Sequence, residues 1–278
     1  MEAYEPNRRI EGAFDRSTAA VCLNGTFVGR EKEGIAAFRG IPFALPPVGR
    51  LRWKEPVPVT SSDGVFEAYH NGPSPVQTKL ESERASFYEQ SEDCLYLNVW
   101  TAKGYEGQGR AVMVFIHGGS YGWGGTADPL YDGHNFVSAH PEIVLVTIAY
   151  RTGLAGFMDF SEVPGGEAYP TAGNLGLLDQ ICALQYIQAN IRSFGGDPSK
   201  VTVFGESAGG GSVSLLPLIP AAKGLFSRVI AESGSVALTY SRKECLTLTR
   251  MLLKETGARR MEELVSLSPD EFRRVTRS

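Results

Sequence analysis

Ser207 stands in Gly205-Glu206-Ser207-Ala208-Gly209, a serine held between two glycines. This spacing, at the passage from a strand into a helix, is that of a nucleophile elbow: the turn lifts a hydroxyl clear of the sheet for attack on an acyl carbon. Both flanks fit, with the apolar run Val201-Thr202-Val203-Phe204 before it and the small-residue run Gly210-Gly211-Ser212-Val213-Ser214 after it. Side chains at 205 and 209 would collide in so sharp a turn, and glycine removes them. A serine hydroxyl is a weak nucleophile alone, so the motif calls for a histidine base and an orienting acid elsewhere.

A second group of residues bears on the same chemistry. His117-Gly118-Gly119-Ser120 continues through Tyr121-Gly122-Trp123-Gly124-Gly125. In isolation it is a glycine turn after a strand. Beside an elbow it reads as an oxyanion loop, because acyl transfer develops negative charge on the former carbonyl oxygen and glycine exposes the backbone N–H groups that hold it. The expected donors are the N–H groups of Gly119, Ser120 and Ala208, with Gly118 neighbouring and Glu206 as a tuning residue beside the nucleophile. Tyr121 and Trp123 supply either an apolar wall near the site or ordinary packing.

The elements that must place these residues follow from alternating apolar runs and helical patterns, which predict an α/β protein. Ala19–Leu23 and Thr26–Gly29 flank Asn24-Gly25, a two-residue hairpin signal, so the chain opens with antiparallel strands. Further strands are expected at Leu95–Trp100, Ala111–Ile116 and Ile143–Ala149; the last two are nearly continuous apolar runs, as for central strands covered on both faces. Leu177, Ile181, Leu184, Ile187 and Ile191 fall on one helix face, and Gly195-Gly196-Asp197-Pro198 ends that helix. Strand, helix and strand then deliver Ser207 to the carboxyl edge of a parallel sheet. The stretches from Pro73 to Asp93 and from Asp159 to Gly173 read as long surface loops.

Composition narrows the functional classes. The 278 residues carry 27 basic and 31 acidic side chains, a net charge of −4, with no basic block, so nucleic acid is not an expected partner. No uncharged run reaches membrane-spanning length, and Met1 to Arg9 lacks the apolar stretch of a signal peptide, which predicts a cytoplasmic protein. Cys22, Cys94, Cys182 and Cys245 form no Cys-x-x-Cys pair, so structural zinc is not expected.

Two long stretches resemble a known family. Glu92-Asp93-Cys94-Leu95-Tyr96-Leu97-Asn98-Val99 and Phe204-Gly205-Glu206-Ser207-Ala208-Gly209-Gly210 are similar to the two signatures of the type-B carboxylesterases, relatives of the cholinesterases. The likeness extends through Arg39–Ala44, Pro46–Arg52, Gly173–Gln180 and Leu225–Gly234, from about residue 19 to the end. It implies an α/β-hydrolase fold, with a mostly parallel central sheet and antiparallel N-terminal strands. It also implies carboxylic-ester hydrolysis through an acyl-serine, without cofactor or metal. Residues 1–278 then form the N-terminal part of a single α/β-hydrolase domain. The resemblance further implies that Arg39 pairs with Glu92 and Arg151 with Asp179.

The departures matter as much. Ser120 stands where the family has a third glycine, which keeps the N–H and adds a side chain beside the acyl site. Secreted relatives pair the cysteine matching Cys94 with an upstream one that this chain lacks, so Cys94 is expected to be free, as in a reducing compartment. The family's acid and histidine follow the serine by intervals longer than the stretch after Ser207. The chain's histidines, His70, His117, His134 and His140, all precede it. None is expected to act as the base. Arg228–Ser233 reads as a strand left at an unpaired apolar edge, so the sheet is incomplete on its C-terminal side. Three readings remain: one half of an esterase completed by a complementary C-terminal polypeptide, a non-catalytic interaction protein on the same scaffold, or a catalytically silent remnant.

Overall fold

Asn24-Gly25 closes a hairpin between β1 (Ala19–Cys22) and β2 (Gly25–Val28), with Cys22 opposite Gly25. The computed structural model describes residues 5–77, 89–105 and 107–277. In chain order the remaining strands are β3 (Arg30–Lys32), β4 (Ile35–Pro42), β5 (Val65–Glu67), β6 (Ser74–Pro75), β7 (Gln90–Ser91), β8 (Tyr96–Ala102), β9 (Arg110–Ile116), β10 (Ile143–Ile148), β11 (Gly196–Glu206) and β12 (Arg228–Glu232). The helices are α1 (His134–Ala139), α2 (Gly153–Gly156), α3 (Leu175–Asn190), α4 (Ala208–Leu215), α5 (Arg242–Thr256), α6 (Met261–Val265) and α7 (Pro269–Arg277). Of the loop read from Pro73 to Asp93, residues 78–88 lie outside the described residues, and β6 pairs with β7 across its ends.

Seven strands form the main sheet in the order β12-β11-β9-β10-β8-β4-β3. The sheet is mixed. β12, β11, β9 and β10 run parallel, while β8, β4 and β3 join antiparallel, so the early chain supplies the antiparallel side as the sequence predicts. β10 and β11 flank β9, and the chain between them passes through α3, whose Leu177, Ile181, Leu184 and Ile187 are buried. Val112, Val114, Ile116, Val144, Val146, Ile148, Val201 and Val203 make the centre of the core. β9 departs from the expected two-sided burial: Ala111 is exposed and Met113 and Phe115 are half-buried. Among the described residues that face carries the small cluster around α1, built on Trp100, Val137 and Leu145, with Phe115 packed between Tyr131 and Phe204.

One of the two ion pairs expected from the resemblance forms. Arg151 and Asp179 are buried, and the guanidinium donates from Nε at 2.8 Å and from Nη2 at 2.7 Å to the two carboxylate oxygens. This bidentate geometry offsets the cost of dehydrating both charges. The Arg39–Glu92 pair does not form. Glu92 instead accepts from Arg52, whose Nε donates at 2.5 Å and Nη2 at 2.7 Å, both side chains being buried. A bulge in β4 between Phe38 and Ile41 re-aims the chain at Arg39, which reaches Asp132 at a half-exposed position over the Trp100 ring. Arg52 Nη1 also donates to the carbonyl oxygens of Leu264, Val265 and Leu267, at 3.1, 3.1 and 2.9 Å. Around it Trp53, Phe160, Leu252, Met261, Leu264 and Phe272 form a second core that seats α5 to α7 against the N-terminal region.

Candidate active site

β11 ends at Glu206 and α4 begins at Ala208, so Ser207 alone makes the turn between strand and helix. It does so at φ 55° and ψ −118°, a conformation that costs a non-glycine residue on the order of 1–3 kcal/mol. Two hydrogen bonds hold it there: Ser207 N–H donates to the Glu232 carbonyl at the end of β12 at 2.8 Å, and Gly211 N–H donates to the Ser207 carbonyl at 2.9 Å. The glycine requirement is confirmed as a contact, since a Cβ on Gly209 would lie 1.9 Å from the Ile116 carbonyl oxygen. Ser207 is half-buried, Glu206 is exposed, and no described group hydrogen-bonds to the Ser207 hydroxyl.

The loop after β9 lies directly against this turn. A Cβ on Gly118 would stand 3.1 Å from Ser207 Cβ and 2.8 Å from the Glu206 carbonyl oxygen, so only glycine fits between the two segments. Gly119, at φ 111°, turns so tightly that its carbonyl accepts from both Gly122 and Trp123, at 2.9 and 3.0 Å. Ser120 and Tyr121 follow in the left-handed region at φ 52° and 56°, which L-residues adopt only when held. Tyr121's carbonyl accepts from Gly153 N–H at 2.7 Å, and Ser120's accepts from the Tyr240 hydroxyl at 2.8 Å. The backbone N–H groups of Gly118, Gly119, Ser120 and Ala208 make no hydrogen bond among the described residues. Loop and elbow thus meet where Gly118 lies against Glu206 and Ser207.

The histidines are elsewhere engaged. His70 lies 3.7 Å from Glu5, His134 3.3 Å from Glu33 and His140 3.6 Å from Glu142. His117 is buried and stacked on Tyr150, and its Nδ1–H donates to the Gly118 carbonyl at 2.8 Å. Burial pushes its pKa down to about 4, with the Gly118 bond and Asp128 opposing. The ring is therefore neutral packing under the loop. Tyr121 is buried against Phe157 and Trp123 is half-buried. Tyr121, Phe157, Leu177, Leu215, Leu238 and Tyr240 line an apolar cavity of about 450 Å³, which Ser207 itself does not line.

Several supporting residues were not evident from motif spacing. Glu232 and Gly234 brace the elbow from the far end of β12, where a Cβ on Gly234 would lie 2.3 Å from the Ser207 carbonyl oxygen. The family-like stretch Leu225–Gly234 contained them without revealing their contacts. Tyr240 gives no signal at all, because it meets Ser120 across 120 residues of sequence. All four cysteines are free and buried. Among the described residues no helix is long and apolar enough to cross a membrane, and no group of three or more His, Cys, Asp or Glu is placed to hold a metal ion.

Comparison with known proteins bears on the family and the fold. The carboxylesterase family model matches residues 17–267. The para-nitrobenzyl esterase of Bacillus subtilis (strain 168) is 40% identical over 253 residues, covering 89% of this chain and 50% of that protein. The liver carboxylesterase of Sus scrofa is 43% identical over 258 residues, covering 87% of this chain and 44% of that one. The crystal structure of carboxylesterase EST55 from Geobacillus stearothermophilus superposes with a TM-score of 0.84 at 40% identity, over 93% of this chain and 53% of that chain. The architecture is accordingly that of the α/β-hydrolases. The chain spans about half the length of the relatives it matches.

Proposed function

This chain belongs to the carboxylesterase family, and from that premise we propose that it supplies the nucleophile and oxyanion hole of a serine carboxylesterase, as the N-terminal part of one α/β-hydrolase domain. The observation that carries the reading is the contact between the Ser207 elbow and a loop whose N–H groups are unused. In the proposed reaction the Ser207 oxygen bonds to the ester carbonyl carbon as its proton passes to a histidine. The carbonyl electron pair moves onto oxygen, where N–H groups of Gly119, Ser120 and Ala208 stabilise it. Collapse expels the alcohol, protonated by the same histidine, and water then cleaves the acyl-serine to return the free hydroxyl. Glu206, exposed beside the nucleophile, tunes the local charge. Small uncharged aryl or alkyl esters are the proposed substrates, and no cofactor or metal takes part.

The acid and histidine are proposed to come from a complementary C-terminal segment. The engagement of His70, His134 and His140 with local glutamates supports this, as does the buried, neutral His117. The longer relatives support it too. On this reading the 278-residue chain alone has no meaningful turnover, since an unassisted serine retains only what binding and the oxyanion hole contribute. The free, buried cysteines support the cytoplasmic address proposed with it. Fluorophosphonate labelling decides the matter. With the complementary segment present, Ser207 is modified and the Ser207→Ala variant is not. Equal labelling of the variant refutes the nucleophile, and no labelling in any preparation favours a catalytically silent protein.

A further inference from the structure

The loop that carries the unused donors is fixed at three successive carbonyls, and each is fixed differently. Gly119's oxygen is held within its own turn, by Gly122 and Trp123. Tyr121's is held by the Gly153 amide, a backbone group that leads into α2. Among the described residues, Ser120's is held only by the hydroxyl of Tyr240, at 2.8 Å. Ser120 and Tyr121 both sit at positive φ, so the peptide between them favours other orientations unless its carbonyl is restrained. That peptide carries the Ser120 carbonyl and the Tyr121 N–H; if it rotates, Ser120 leaves its left-handed conformation, and the adjoining Gly119–Ser120 peptide, which carries the Ser120 N–H, shifts to follow.

We propose that Tyr240 is a positioning residue for the oxyanion loop, its hydroxyl locking the Ser120 carbonyl so that Ser120 keeps its left-handed conformation and its own N–H stays aimed beside Ser207. This rests on the acyl-transfer reading for its catalytic consequence but not for its geometry. Tyr240 directly precedes Ser241, the N-cap of α5, whose hydroxyl and Glu244 form a capping box. The helix is seated by Arg242 on Asp159 and by the Thr249 hydroxyl on the Asp159 carbonyl. The loop is thereby tied to α5, a helix that makes none of the elbow. Since Tyr240 is about half exposed, with 48% of its surface open, losing its hydroxyl leaves no cavity.

Tyr240→Phe removes the hydroxyl and keeps the ring. Amide hydrogen exchange of the 278-residue chain is the deciding measurement. The amides of Gly122, Trp123 and Gly153 are expected to exchange about fivefold faster in the variant, as for loss of one neutral hydrogen bond, with β9 and β10 unchanged. Leu238→Ala, a change in the same segment with no bond to Ser120, is expected to leave those three amides as they are. Unchanged exchange in Tyr240→Phe overturns the proposal, as does an equal effect from Leu238→Ala. Faster exchange throughout β9 and β10 overturns it too, because the hydroxyl then serves general folding. In a preparation that turns over p-nitrophenyl acetate, kcat is expected to fall roughly tenfold with KM unchanged. Absence of turnover in every preparation removes the esterase reading and leaves the exchange result to decide whether Tyr240 holds the loop.

Discussion

At the scale of single residues, the site is made by atoms that are missing. Gly209→Ala would press a methyl group to within 1.9 Å of the Ile116 carbonyl, and backbone on both sides leaves nothing to yield. It is expected to cost about 1–3 kcal/mol or more in denaturant unfolding. Gly122→Ala, whose nearest neighbour lies 3.9 Å away, is expected to stay within about 0.5 kcal/mol of wild type. His117 gives a pH signature. Its ring has a pKa of about 4 when folded, against an ordinary value of 6.5. Between those two pH values the unfolded chain binds a proton that the folded one refuses, so stability falls as pH drops through that window and is unaffected above it. The penalty reaches about 3 kcal/mol at its lower end. Unfolding of wild type and His117→Phe at pH 7 and pH 4.5 should show a smaller acid loss in the variant.

At the scale of elements, the buried arginines decide how the pieces are fastened. Arg52→Met would leave Glu92 buried without its partner and remove the donor to three carbonyls, an expected loss of about 3–5 kcal/mol in chemical unfolding. Arg39→Met, at a half-exposed pair with Asp132, is expected to cost about 1 kcal/mol or less. The reverse order of effects would restore Arg39 as the buried partner. The same contrast shows what the sequence made legible. Local rules sufficed for the hairpin, the elbow and α3, because turn chemistry and period-3.6 burial act within a few residues. Arg151 and Asp179 were reached through family resemblance. Arg52 was not, because its partners lie 40 and 212 residues away and its own surroundings, between a proline-rich turn and Trp53, carry no periodic pattern. β9 misled for a related reason: an apolar run shows that a strand is central, not how much chain covers each face.

At the scale of the whole molecule, β12 is the boundary strand of the main sheet, and all five of its residues are exposed, including Val229 at 42% and Ile230 at 44%. An apolar strand with one free hydrogen-bonding side is a template for another chain. Size-exclusion chromatography of the isolated polypeptide is expected to show concentration-dependent association, reduced in the Val229→Lys/Ile230→Lys double variant. A monomer in both would contradict this. The strand also reaches the chemistry, because its last carbonyl holds the nucleophile's own amide. The Arg52 clamp has a different consequence, one of time. Arg52 precedes the carbonyl of Leu264 by 212 residues. A ribosome adding about 5–20 residues per second needs roughly 10–40 seconds to cover that distance. Once Glu92 has followed 40 residues after Arg52, the nascent chain holds the guanidinium, its glutamate and the open side of Trp53 with nothing to close over them for the rest of that interval. Until α6 and α7 emerge, that side of the N-terminal region stays open to water.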